Sequence, residues 1–435
     1  MRHRVVITGM GWVTPLGCDI ESVWRRLLAG ESGVAPIRNF DARAFPTTFA
    51  AEVKDYHVPD KIAASGKHNR ISRATGFALD AAHQAWAQAA LPEPGTPEHK
   101  KLNPYDIGAY LGSGEGSLDF STFTRTAIAN WKRDADTLDM AGWGRDALKS
   151  FNALAEIEQE PALPINHLSM EFNARGPALN CLTACAASTQ ALGEATEIIR
   201  RGDASIMISG GAHSMIHPFG VTGFNRLTAL STLNDDPRRA CRPFDATRSG
   251  FVIGEGAGVL ILENLQHALS RSAPILAEVV GYGSSADAYR VTDQHPEGRG
   301  AVMAINEALK DAGLTPGDID YINAHGTGTK ENDSTETHAI KAAFGSHAGR
   351  VPISSIKSMM GHLIAAAGAV EAVTCVLTLR DQMLPPTANY SVPDPECDLD
   401  YVPNEPRPAR VDAVMSNSFG FGGQNDTLII RRFRP

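Results

Sequence analysis

Thr183-Ala-Cys185-Ala-Ala-Ser188-Thr-Gln-Ala-Leu-Gly-Glu-Ala195 sets one thiol at a turn of small residues, just before a helix of small residues. A second stretch echoes it loosely: His362 opens Leu363-Ile-Ala-Ala-Ala-Gly-Ala-Val-Glu-Ala372. Two halves, each presenting a reactive residue at a helix start, fit a duplicated αβ unit. Outward from these stretches, strand-like runs (Arg4–Thr8, Ile107–Leu111, Ser205–Ser209, Val259–Glu263, Ile319–Asn323) alternate with small-residue helical segments. The helical segments are Thr75–Ala90, Ser188–Arg201, Gly300–Ala312 and Ala365–Arg380. Such alternation predicts α/β layers with largely buried sheets. Arg271-Ser-Ala-Pro274 is the expected join, giving an N-terminal half at 1–270 and a C-terminal half at 271–435. Leu91–Asn103 reads as a surface loop, and Asp119–Leu168 as irregular helices laid over something else.

A chain of 435 residues fits two fused domains or one large domain with two halves. Forty Lys and Arg against 49 Asp and Glu leave a net charge of −9, which argues against a nucleic-acid binder. Met1-Arg-His-Arg followed by Val5-Val-Ile-Thr-Gly9 reads as a first buried strand entering a glycine turn, not as a signal peptide. No apolar run is long enough to span a bilayer. The six cysteines show no C-x-x-C pair and no regular spacing, so neither zinc nor a disulfide framework is expected. They read as free thiols in a reducing cytoplasm.

Three stretches carry the chemistry. Cys185 stands where helix N–H groups and partial positive charge would stabilise a thiolate and hold an oxyanion. His325, in Asn323-Ala-His325-Gly-Thr-Gly-Thr329, ends a strand beside glycines that let a substrate approach, with Thr327 and Thr329 as hydroxyl donors. His362, in Lys357-Ser-Met-Met-Gly-His362, faces either a reaction site or an N-cap-like bond. Lys357 is either buried and paired or snorkelling, and Glu371 either orients an imidazole, answers Lys357 or lies on the surface. Together they suit an enzyme that carries an acyl group on sulfur. The glycine runs at Gly112–Gly116 and Gly254–Gly258 lack the context of a dinucleotide fingerprint.

The set resembles the elongating β-ketoacyl-acyl-carrier-protein synthases, closest to type II, of the thiolase-like superfamily. The likeness runs nearly end to end, through Val6-Ile-Thr-Gly-Met-Gly11, Arg242-Pro-Phe-Asp245, Gly250–Gly258 and Asn417-Ser-Phe-Gly-Phe-Gly-Gly-Gln-Asn425. It implies a thiolase-like five-layered αβαβα fold of two pseudo-repeated halves, a homodimer, acyl carrier protein as partner, and neither cofactor nor metal. It implies Cys185 as the nucleophile, His325 and His362 as donors to the malonyl thioester, and Lys357 as their support with Glu371. Phe421 would be the gate, its N–H and that of Cys185 the oxyanion hole, and Thr327, Thr329, Thr292 and Phe419 would meet substrate. The reaction implied is decarboxylating condensation in fatty-acid or related lipid or polyketide elongation. A silent chain-length partner and a thiolase-type coenzyme A enzyme are the alternatives. The sequence departs from the pattern at Thr228 and Leu233, where two carrier-docking arginines are usual, with Arg226 displaced. Lys61, Lys67, Arg70 and Arg73 are substitutes for that role, and the segment between Gly112 and Gly176 is longer than in typical relatives.

Overall fold

The computed structural model describes residues 2–116, 118–291 and 293–435, so Thr292 lies outside the described residues. The main sheet takes β1 (Val5–Val13), β2 (Ile107–Ser113), β3 (Ala178–Cys181), β4 (Ile206–His213) and β5 (Gly256–Asn264) from the first half of the chain. From the second half it takes β6 (Ala277–Ala286), β7 (Tyr321–Asn323), β8 (Ile353–Ser354), β9 (Ala413–Gly420) and β10 (Gln424–Arg431). Across the sheet the order is β8-β7-β9-β10-β6-β1-β5-β4-β2-β3. Read outward from the centre, each half runs first, fifth, fourth, second, third in its own chain order. Within each half the first three strands pair antiparallel and the last three parallel. An antiparallel β1–β6 contact joins the halves. The topology is that of a duplicated unit.

Six helices complete the layers: α1 (Arg73–Gln88), α2 (Leu163–Phe172), α3 (Ala187–Arg201), α4 (Arg299–Ala312), α5 (Lys330–Phe344) and α6 (Ala367–Asp381). Helices α1 and α2 cover one outer face, and α4 with α5 the other. Helices α3 and α6 pack on each other and on strands of both halves, giving the five layers αβαβα. Small side chains permit that central layer. A Cβ added to Gly112 of β2 would meet the Ala187–Ser188 main chain at 2.4 Å, and α6 is buried from Ala367 to Leu379.

The echo in the sequence is real but shifted. Ala184 and Ile364 both take a left-handed φ of 48°, and each opens a single 3₁₀ turn that runs into α3 or α6. Positive φ in an alanine and an isoleucine is strained, and its recurrence at matched sites marks a shared turn. The turn pairs Cys185 with Ala365, whereas the sequence comparison pairs it with His362. His362 therefore stands three residues ahead of the position that holds the thiol. The segment expected as irregular helices contains Phe120–Ala129, Met140–Ser150 and Ala153–Ile157, followed by α2.

Candidate active site

Cys185 lies in the 3₁₀ turn between β3 and α3, 5 % exposed. Its Sγ is 3.0 Å from His362 Nε2. The helix start was expected to lower the thiol pKa. Instead burial pushes it up to about 11, against the opposing pull of Lys357 and of the Phe421 and Cys185 N–H groups. A thiolate taken out of water loses more solvation than these groups return. The resting sulfur is a neutral thiol.

His362 makes both of the contacts anticipated for it. Its Nδ1 accepts the Ile364 N–H at 3.3 Å, so the ring proton sits on Nε2 and points at the sulfur. His325 stands two residues past β7, with its ring centroid 5.3 Å from that of His362 and nearly perpendicular to it. Burial, followed by the charge of Lys357, holds both imidazoles well below the ordinary histidine range. Both are neutral hydrogen-bond donors, and His325 Nδ1 is buried without a hydrogen-bond partner.

Lys357 is buried, not snorkelling. Its Nζ donates to the His325 carbonyl at 2.6 Å and pairs with Glu371. Burial raises the Glu371 carboxyl and Lys357 lowers it. Glu371 is thus the counter-charge to Lys357, and neither residue lines the cavity.

A cavity of about 610 Å³ opens over the sulfur. Cys185, His325, His362, Thr327, Thr329, Phe419, Gly420 and Phe421 line it. Thr327 and Thr329 share a 2.9 Å hydroxyl bond. The glycine turn carrying Phe421 comes close because position 420 has no side chain: a Cβ there would stand 3.0 Å from the Thr183 carbonyl and 3.2 Å from the Cys185 nitrogen.

Sequence reasoning missed the carboxylate behind His325. Glu336 Oε1 accepts the His325 N–H at 2.9 Å, and Oε2 accepts the Gly326 N–H at 2.8 Å. Burial pushes this carboxyl up to about 7. Asp333 accepts the Phe244 and Gly328 N–H groups, and Arg248 answers its charge. The signal lay in the spacing of α5, where Asp333, Glu336, Ile340 and Phe344 fall on one helical face. Acids in register with the buried Ile340 and Phe344 face inward.

The donor atoms of Cys185, His325 and His362 lie within 4.8 Å of one another, a spacing a metal could use. Of the basic residues expected to dock a carrier, Lys67 pairs with Glu171 and Arg73 with Glu255. Both are held by ion pairs, Lys67 at the surface and Arg73 half-buried.

Two family models match this chain: the β-ketoacyl synthase N-terminal domain over residues 2–268 and the C-terminal domain over 276–391. A 3-oxoacyl-[acyl-carrier-protein] synthase 2 of Coxiella burnetii is 42 % identical over 431 residues, 99 % of each chain. Among solved structures, a β-ketoacyl synthase from Burkholderia phymatum STM815 superposes with a TM-score of 0.86 at 33 % identity, covering 99 % of this chain and 100 % of that one. A type II polyketide ketosynthase, solved with its acyl-carrier protein and a bound hexaketide, also gives 0.86, at 32 % identity over 100 % of both chains. No helix of the described residues is long and apolar enough to cross a membrane.

Proposed function

The chain belongs to the β-ketoacyl synthase family, and from that premise we propose that it elongates acyl chains by decarboxylating condensation with malonyl-acyl-carrier-protein. The Cys185 sulfur attacks the acyl thioester, its proton passes to the departing pantetheine sulfur, and the acyl group remains on Cys185. The malonyl thioester then enters the cavity. Its carboxylate leaves as carbon dioxide, and the electron pair of the broken C–C bond becomes an enolate. His325 and His362 donate to the enolate oxygen. The enolate carbon attacks the acyl carbonyl, whose oxyanion is held by the Cys185 and Phe421 N–H groups. The C–S bond breaks and returns the sulfur as the leaving group.

The single observation that carries this reading is the 3.0 Å approach of a protonated His362 Nε2 to the thiol, with a second neutral imidazole beside it in the same cavity. Two fixed donors aimed at developing charge stabilise it without reorganisation. Lys357 and Glu336 act through His325, holding its carbonyl and its N–H from opposite sides. Thr327, Thr329 and Phe419 would meet the incoming thioester arm.

The family's docking partner, acyl carrier protein, would approach the cavity mouth at Leu227, Thr228, Lys330 and Glu331, where Arg226 is exposed. A homodimer is the expected assembly. It is supported by the edge strand β3, where Leu179 and the following Leu182 are exposed, because a free apolar edge invites pairing. The cytoplasm is the expected compartment.

The test separates the half-reactions. Labelled acyl carrier protein should acylate the wild type and leave Cys185→Ala unlabelled. His325→Ala should still take the label yet lose release of carbon dioxide from malonyl carrier protein. Labelling of Cys185→Ala, or normal decarboxylation by His325→Ala, would remove these residues from their roles.

A further inference from the structure

The long segment after Gly112 does not touch the sulfur, yet a line of aromatic rings runs from it toward the site. Phe151 meets Trp143 at 5.9 Å, Trp143 meets Phe123 at 6.3 Å, and Phe123 and Phe120 meet Phe219 at 6.0 and 5.0 Å. All four contacts are edge-on, with ring planes 67–80° apart. Such pairs interlock and resist sliding. Phe219 sits in the first turn of the helix Pro218–Arg226. The same helix sends Val221 and Phe224 inward, into one apolar cluster with Cys185, Ile216, Phe251 and Ile364. Phe224 is 5.4 Å from Phe251, which is 5.2 Å from His362.

The two sides of the sulfur differ in polarity. One is the cavity with His325, Thr327 and Thr329. The other is this apolar cluster, the natural place for acyl methylenes. Its inner wall is Pro218–Arg226, a helix of nine residues that caps itself through His217 Nδ1 and is tied by Thr47 to Asn225. Phe251, by contrast, is pinned by main-chain bonds to Ala229 and Ser231. The wall is therefore the part able to yield, and the aromatic line presses on its outer face.

We propose that the segment Phe120–Phe151 is a buttress that sets the length of acyl chain accepted on Cys185, acting through Phe219 on the helix Pro218–Arg226. Phe219 is a positioning residue for specificity, not a catalytic one. The proposal rests on Cys185 as the acyl carrier. Removing the ring of Phe219 lets the helix move outward and favours longer chains. Enlarging it holds the helix in and favours shorter ones.

The experiment measures Cys185 acylation by mass with butanoyl-, octanoyl- and dodecanoyl-carrier protein, and malonyl decarboxylation separately. In Phe219→Ala the dodecanoyl-to-butanoyl rate ratio should rise about tenfold or more, the lower end of what one methylene is worth in an apolar pocket. Phe219→Trp should lower it, and malonyl decarboxylation should stay at the wild-type rate in both. Phe219 is 48 % exposed, so its truncation leaves the fold intact, and Phe219→Leu supplies an intermediate variant. An unchanged ratio in all three variants overturns the buttress. Acylation that persists in Cys185→Ala overturns instead the assignment beneath it.

Discussion

Two clusters of buried imidazoles are wired in opposite ways. Beside α1 and α2, His68 and His167 face each other, Nδ1 to Nδ1 at 2.9 Å. The outer nitrogen of each meets a carboxylate: His68 Nε2 is 3.0 Å from Glu171 and His167 Nε2 is 2.9 Å from Glu158. His83 stands 3.2 Å from Glu171, Lys67 3.1 Å, and the Ser72 N–H bonds Glu158 at 2.8 Å. The two rings thus form one chain of contacts that ends on a carboxylate at each side. Burial pulls His68 below the ordinary histidine range, against the opposing pull of Glu171. At the candidate active site, among the described residues, no carboxylate hydrogen-bonds to the ring of His325 or His362. Of the carboxylates nearby, Glu371 is taken up by Lys357 and Glu336 by the main-chain N–H groups of His325 and Gly326. The difference teaches how to tell structure from chemistry: His68 and His167 are tied to carboxylates, while His325 and His362 face the cavity and the sulfur, where the proposed reaction would develop negative charge.

The comparison breaks most severely at Lys357. Lys357→Met should cost about 3–5 kcal/mol in urea unfolding, since it strands a buried carboxylate. The double variant with Glu371→Leu should regain most of that stability and no activity. If the single variant unfolds like wild type, the pair is not the buried anchor of the site. Next is His325→Ala, expected to slow malonyl decarboxylation about 10²–10³-fold, the size of losing one preorganised donor. His167→Gln should show the reverse pattern, a loss of about 1–3 kcal/mol with decarboxylation intact. Slowed decarboxylation in a fully folded His167→Gln protein would erase the distinction between the clusters.

Much of the site was legible because its residues sit in short runs of small neighbours. Cys185, His325 and His362 each announce themselves beside glycine or alanine, and all three line one cavity. Glu336 was hidden by the opposite circumstance, a polar helix in which only the three- and four-residue spacing betrays the inward face. The fold was legible in its alternation: β2 and β5 contain the runs anticipated for them, and β1 and β4 contain all but the first residue of theirs. The register of the duplication was not. It depends on a left-handed φ at Ala184 and Ile364, residues whose type gives no hint of that conformation. The outer histidine cluster was equally invisible, because it joins residues about a hundred positions apart.

Opposite wiring also makes the two clusters fail at opposite ends of the pH scale. His83, His68 and Lys67 hold Glu171 below the ordinary carboxylate range, and for Glu158 the bonds from His167 and Ser72 outweigh burial. A depressed carboxyl stabilises the fold above its unfolded value, about 4.3, and that contribution disappears as pH falls through the folded value. His167→Gln should flatten this acid limb. Cys185 has the other sign. Its folded value of about 11 lies above that of an ordinary thiol, about 8.5. Its contribution is whole below about 8.5 and is lost as pH rises toward the folded value. The same displacement governs reactivity, because only the thiolate is alkylated. The iodoacetamide rate at Cys185 should climb about tenfold per pH unit from 7 to 9.5 without levelling. Lys357→Met should depress the whole curve by removing the charge that favours the thiolate. A plateau near pH 8 would show that the sulfur is not held as a neutral thiol.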